Sequence, residues 1–421
     1  MFAPAQRTSA KLFLMMVMAI FIIAYLIRYL YLDYYSDTAT YLTDVNPEWN
    51  VVTADGLDDA FAISTLLFGL FVALSPSPLS QSMKPIQRVG YIVPPVFMGL
   101  ALLAIVAITL AFRAAYGSAL GEQPADIPFG LGTPIYRAQA DLFPGLLLLF
   151  AEAAWFGRNR KHYWFWIAAL GAFNLSMSML TTSKAGLIFF AVQFVMLMYL
   201  TDQNIWAKPL RIFSLGLAAL VAFIYAAQLR SQALLGTDAL ILVSLREGYI
   251  FATLLEVAGL IGNRLPGVEG LALYCGYGCE GLPTITFPAL NGAAGQIFTQ
   301  EVIRVRGDFD FRSPGYIGGA IIVAGTWGGS VLAISFLRGV LGGMRIMDRQ
   351  GFSAATKIVV CFGMFRFLLE GVWAWQDLAS MTVAAVIVEI CARRVLRQRD
   401  ATNDSGLPNR FDGYLAGTPA R

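Results

Sequence analysis

Apolar residues fall in long blocks separated by short polar or charged segments. Ten blocks, near 12–32, 60–74, 91–112, 142–156, 163–180, 185–200, 212–228, 316–337, 355–372 and 378–392, approach the length needed to cross a bilayer. A spanning helix needs about 20 mostly apolar residues, fewer where an element ends early. The pattern predicts an all-α, polytopic integral membrane protein of about ten transmembrane helices. It divides into a bundle over 1–229, a long polar loop over 230–315, further spans over 316–392 and a polar tail over 393–421.

Basic residues recur at every second boundary. Arg7 and Lys11 precede the first block, and Lys84 and Arg88 follow the second. Arg158, Arg160 and Lys161 follow the fourth, and Lys208 and Arg211 the sixth. Arg338, Arg345, Arg349 and Lys357 separate the eighth from the ninth, and Arg393, Arg394, Arg397 and Arg399 follow the tenth. The loop after the first block has no Lys or Arg but carries Asp37, Asp44, Glu48, Asp55, Asp58 and Asp59. By the positive-inside rule, ten spans with both termini in the cytoplasm follow. The first block is too long and aromatic for a cleaved signal peptide.

Composition supports the membrane reading. The 421 residues are 57% hydrophobic and only 14% charged, whereas a soluble domain is roughly 25% charged.

The loop 230–315 breaks the outer-side bias against positive charge. It carries Arg230, Arg246, Arg264, Arg304, Arg306 and Arg312 among its acids, and ends Arg304-Val-Arg306-Gly-Asp308-Phe-Asp310-Phe-Arg312-Ser-Pro-Gly315. Guanidinium groups bind phosphate oxygens in bidentate fashion. A solvated loop with mutually neutralised charges is the plainer alternative. Against it, the cluster directly precedes a span, Pro314-Gly315 ends it in a turn, and the span opens with Gly318, Gly319, Gly325, Gly328 and Gly329, which permit close approach of backbone or ligand. The stretch 239–261 reads as an amphipathic helix in the outer interface or as an eleventh span. Crossing with Arg246 or Glu256 at its centre would cost several kcal/mol on the order given by membrane-insertion scales.

Other charged residues have competing roles. Lys184, alone in the turn Thr181-Thr-Ser-Lys184, either snorkels or contacts an anion. Asp141 either caps the fourth span or faces a cavity, with Arg137 nearby. Arg366 and Glu370, one turn apart, form a structural ion pair or belong to that cavity. Cys275 and Cys279 are a small disulfide or two thiols, and no histidine near them supports a metal site. The sole histidine, His162, lies in a cytoplasmic basic cluster. A base on the outer side is therefore a carboxylate or tyrosine, with Glu301, Asp308 and Asp310 nearest the arginines. No nucleotide-binding loop or metalloprotease motif occurs, so no cofactor, metal or nucleic acid is expected.

Three features together resemble the O-antigen polymerase family of bacterial surface polysaccharides. These are the many spans with a dominant outer loop in the second half, Arg304 separated by ten residues from Gly315, and Met179-Leu-Thr-Thr-Ser-Lys184-Ala-Gly186 between two central spans. Lys184 stands where that family usually has arginine, and Ile317-Gly318-Gly319-Ala320 lacks its customary acid. The resemblance implies a GT-C-type glycosyltransferase of the inner membrane that joins polyprenyl-diphosphate-linked repeat units on the periplasmic side. It implies catalytic roles for Arg304, Arg306, Glu301 and Asp308, and substrate contacts from Arg312, Arg230, Arg246, Lys184, Arg137 and Gly315. A chain-length co-polymerase and a flippase are the partners it implies. A ligase that attaches a finished glycan, and a transporter of lipid-linked glycans, are the competing readings.

Overall fold

The computed structural model describes residues 8–30, 54–75, 88–90, 102–108, 141–157, 160–181, 185–201, 315–370 and 375–398, with isolated positions that include 246–248, 268 and 271–272. These residues are helical apart from one pair of three-residue strands. The order is α1 (Ser9–Ile20), a π-helical turn (Phe21–Ile27), α2 (Ala54–Leu74), β1 (Arg88–Gly90), α3 (Phe143–Phe156), α4 (Arg160–Thr181), α5 (Ala185–Leu200), α6 (Gly315–Arg349), α7 (Ala354–Glu370), α8 (Trp375–Val395) and β2 (Leu396–Gln398). Among the described residues, Ser9–Leu30, Gly56–Leu74 and Ala324–Arg349 are long and apolar enough to cross a membrane. Phe143–Phe156 and Phe189–Leu200 are shorter apolar helices.

Helix α3 is the hub. Leu147, Leu148, Leu149 and Phe150 are all buried, and α4, α7 and α8 pack around them. An apolar helix covered on all sides belongs at the centre of a bundle. Pro144 occupies its first turn, where the missing N–H costs nothing.

Three carboxylates tie one end of the bundle together. Glu152, wholly buried, accepts the backbone N–H groups of Ala354 and Ala355 at 2.9 Å each. It thereby caps α7 from another helix, where the first-turn amides have no intrahelical acceptor. Asp348 does the same for α1, accepting from Ser9 N at 3.1 Å and Ala10 N at 3.2 Å, and it also pairs with Lys357 Nζ at 2.8 Å. Glu389 accepts from Ser353 N at 3.1 Å, Thr356 Oγ1 at 3.0 Å and Arg393 Nε at 3.2 Å. The beginnings of α1 and α7, the end of α3 and the last turns of α6 and α8 thus share this end. β1 pairs antiparallel with β2, Arg88 opposite Gln398, just beyond α8. The described parts of the basic segments that the charge pattern groups together therefore lie at one end of the molecule.

Helix α6 corrects the span expected at 316–337. Gly325 has φ 71° and ψ 171° and breaks the helix. That backbone region is essentially restricted to glycine. The arm 315–324 folds back along the arm 326–349. The Tyr316 ring lies 5.3 Å from the Phe336 ring, and its hydroxyl donates to the Ala333 carbonyl at 3.4 Å. In one straight helix these residues would stand roughly 25 Å apart. Gly329 makes the close return possible, because a Cβ there would overlap the Ala320 backbone. The part long and apolar enough to cross a membrane is accordingly Ala324–Arg349, and Gly315 starts a re-entrant arm. Sequence hydropathy merges the two arms because both are apolar and the break is a single glycine.

Candidate functional site

Helix rise locates the parts of the site by depth. At about 1.5 Å per residue, Arg366 lies roughly 18 Å along α7 from Ala354, and Ala333 roughly 22 Å along α6 from Asp348. The carboxylate-tied end is the zero of that scale. Gly315 and Tyr316, held at Ala333, therefore sit well inside the bundle, while Gly325 lies roughly 35 Å out. The entry to the re-entrant arm is sunk below the rim. Irregular or broken backbone at such depth is stable only where protein or water covers it.

Beside this entry is a small apolar crevice of about 40 Å³. Phe21 and Tyr25 line it from the π-helical turn, Leu67 and Phe68 from α2, and Tyr316 and Leu337 from α6, among others. Two ring contacts shape it: Phe21 stacks on Phe68 at 4.3 Å, and Tyr316 packs on Phe367 of α7 at 5.4 Å. The Tyr25 hydroxyl lies beside the backbone N–H of Ile317, which brings the π-helical turn against the first turn of the re-entrant arm. Single π-helical segments within α-helices recur at functional sites. One turn beyond Tyr25 is Arg28, a cation only 7% exposed. Next to it, the Tyr29 hydroxyl donates to Asp58 at 2.8 Å.

On the other side of the Tyr316–Phe367 contact is a buried polar cluster. Arg366 Nη1 lies 3.1 Å from Asp141 Oδ1, and Ser380 Oγ donates to Asp141 Oδ2 at 2.9 Å. The guanidinium also lies over the Phe189 ring, 5.9 Å from its centroid. Helices α3, α5, α7 and α8 meet here. An isolated charge at this depth is costly, so pairing and cation–π contact are what make it tolerable.

The cluster settles one alternative left by the sequence. Asp141 does not cap α3: Leu142 is the capping position and has no side-chain cap, and the carboxylate faces Arg366 and Ser380 instead. Arg366 pairs with Asp141 from another helix, while the side chain of Glu370 lies outside the described residues. Of the other candidates, Gly315 starts α6 and Arg246 is helical and exposed. Arg304, Arg306, Arg312, Glu301, Asp308, Arg230, Lys184 and Arg137 lie outside the described residues, as do Cys275 and Cys279. No cluster able to hold a metal occurs among the described residues. His162, exposed in the first turns of α4, lies toward the carboxylate-tied end.

Sequence reasoning passed over Glu152, Glu389, Tyr25 and Arg28. A signal existed for three of them, since an ionisable residue inside an apolar block is functional or structural by default. Tyr25 carried none.

Comparison with protein-family models, with curated proteins and with solved structures yields no match.

Proposed function

We propose that this protein is a polytopic membrane glycosyltransferase. It joins polyprenyl-diphosphate-linked oligosaccharide repeat units at the outer face of the bacterial inner membrane, with both termini in the cytoplasm and ten spans. The observation that carries the reading is the sunken entry to the re-entrant arm. The arginine-rich segment 304–315 leads directly into Gly315, and Gly315 opens beside an apolar crevice well inside the bundle. A cationic segment joined to an apolar crevice suits a substrate with an anionic head and a hydrocarbon tail.

In the reaction, an acceptor hydroxyl oxygen forms a bond to the anomeric carbon of the donor. The bond from that carbon to the diphosphate oxygen breaks, and its electron pair stays on the lipid diphosphate. The hydroxyl proton passes to a carboxylate, Glu301 or Asp308. Arg304 and Arg306 stabilise the growing diphosphate charge, with Arg312, Arg230, Arg246 and Lys184 as further contacts. One well-placed donor is worth roughly 3 kcal/mol in the transition state. No cofactor is required in this scheme.

The test is gel analysis of surface polysaccharide and lipid-linked intermediates in a deletion strain. Single repeat units should accumulate in place of polymer, and Arg304→Ala should fail to restore the polymer at normal protein level. Polymer of normal length from Arg304→Ala would remove Arg304 from the mechanism. Long unattached chains in the deletion strain would instead identify a ligase, a reading that the position of His162 disfavours.

Two observations favour a second reading, transport of lipid-linked glycans: the helix broken at Gly325 and the mid-depth Asp141–Arg366 pair. Transporters place broken helices and charges at such depth. Reconstituted protein separates the two, because a transporter changes the sidedness of the lipid-linked glycan and forms no glycosidic bond.

A further inference from the structure

Helix α6 carries a charge on the face it turns away from the bundle. Within Ala324–Arg349, Trp327, Val331, Ser335, Arg338, Gly342 and Ile346 recur at intervals of three and four, so they share one stripe. Gly342 is half-exposed and the other five are exposed; Trp327 is 85% exposed. Beside Arg338, a Cβ added at Gly339 or Gly342 would meet nothing within 4 Å. The stripe is uncovered among the described residues.

Depth sets Arg338 apart. Tryptophan and arginine near the ends of a span mark the two membrane interfaces, here Trp327 and Arg349. Arg338 stands eleven residues from each, or roughly 16 Å of helix rise. That is about half of a hydrocarbon core of about 30 Å. Arg345 is nearer, roughly 10 Å along the axis. Snorkelling toward it would run against the lean of helical side chains, which tilt toward the helix N-terminus and hence toward Trp327. Arg338 makes no hydrogen bond or ion pair among the described residues. Arg366, also well inside the bundle, has Asp141 at 3.1 Å and the Phe189 ring beneath it. The same chain thus neutralises its inward-facing arginine and leaves the outward-facing one open. An arginine facing hydrocarbon is costly until it meets an opposite charge.

A second copy of this chain is the wrong partner. Parallel copies meeting on this stripe would set Arg338 against Arg338, and like charges repel. A phosphate head stays near the interface, roughly 16 Å away. We propose that the stripe docks the membrane-spanning helix of a partner protein, and that this helix carries one aspartate or glutamate near its middle. The carboxylate pairs with Arg338. Ser335, Gly339 and Gly342 let the two backbones approach closely enough for that contact. Such docking does not depend on whether the chain transfers sugars.

The test uses the full chain in nanodiscs of bacterial phospholipid, with synthetic helices as probes. Each probe has about 20 leucines and alanines, lysines at both ends, and aspartate or leucine at the centre. Either direction of insertion puts the central residue at mid-depth. A photoreactive benzoylphenylalanine replaces Val331, on the stripe, or Val386, an exposed position on α8. After illumination at neutral pH, the aspartate probe should cross-link at position 331 several-fold more than the leucine probe. At position 386 the two probes should give equal yields. Arg338→Leu should bring the aspartate probe down to the leucine level at 331, and Gly342→Leu should weaken it with the charge intact. Equal yields from the two probes at 331, phospholipid adducts alone at 331, or an aspartate yield unchanged by Arg338→Leu would each overturn the proposal. Arg338→Leu should also leave the thermal midpoint of the solubilised chain undiminished, because no described residue pairs with it. A lowered midpoint would reveal a partner within the chain and overturn the proposal as well.

Discussion

Replacing Glu152 by alanine should destabilise the protein more than most single changes in its core. The side chain is wholly buried, and both carboxylate oxygens accept first-turn amides of α7 at 2.9 Å. Hydrogen bonds to a charged group contribute about 1.5–3 kcal/mol each. Losing both, and leaving two amides desolvated without an acceptor, should cost roughly 3–5 kcal/mol. Glu152→Gln keeps one acceptor oxygen but turns an NH2 group toward the second amide, so about half of that cost is expected. The assay is the thermal midpoint of the detergent-solubilised full chain, followed by size-exclusion recovery after heating. The expected order of midpoints is wild type, then Glu152→Gln, then Glu152→Ala. Equal midpoints for wild type and Glu152→Ala would refute the claim that this carboxylate holds α7 in place.

Three further outcomes can be checked with the same material. Gly325→Ala forces a side chain into a conformation costing on the order of 1–3 kcal/mol and should lower the midpoint, whereas Gly339→Ala, which meets nothing within 4 Å, should not. Gly329→Ala should be worse than Gly363→Ala: the first meets the fixed Ala320 backbone, the second the flexible Met381 side chain. Arg366→Met and Asp141→Asn should each cost about 3–5 kcal/mol as the partner charge is left buried, and the double variant should recover part of the loss; additive single costs would show that the two residues do not depend on each other.

The helices were legible in the sequence where an apolar block and a charge boundary coincide. The block 185–200 is α5 (Ala185–Leu200), 142–156 is nearly α3 (Phe143–Phe156), and 378–392 lies within α8 (Trp375–Val395). The break in α6 was not legible, because hydropathy measures how apolar a segment is and carries no information on backbone dihedral angles. The pairing of Arg366 with Asp141 was hidden for a related reason. Spacing along one helix reveals Glu370, while Asp141 lies 225 residues away in the chain and is brought close only by packing. The trans caps escaped notice because a carboxylate at the end of α3 has no sequence relation to the start of α7. The crevice was not legible, because its walls from α1, α2 and α6 depend on tertiary contacts.

The carboxylate ties at the β1–β2 end join five helix termini to one another. The glycine break lies toward the opposite end of the bundle. The clasp and the bend are thus built from different parts of the same bundle, and loosening one need not disturb the other.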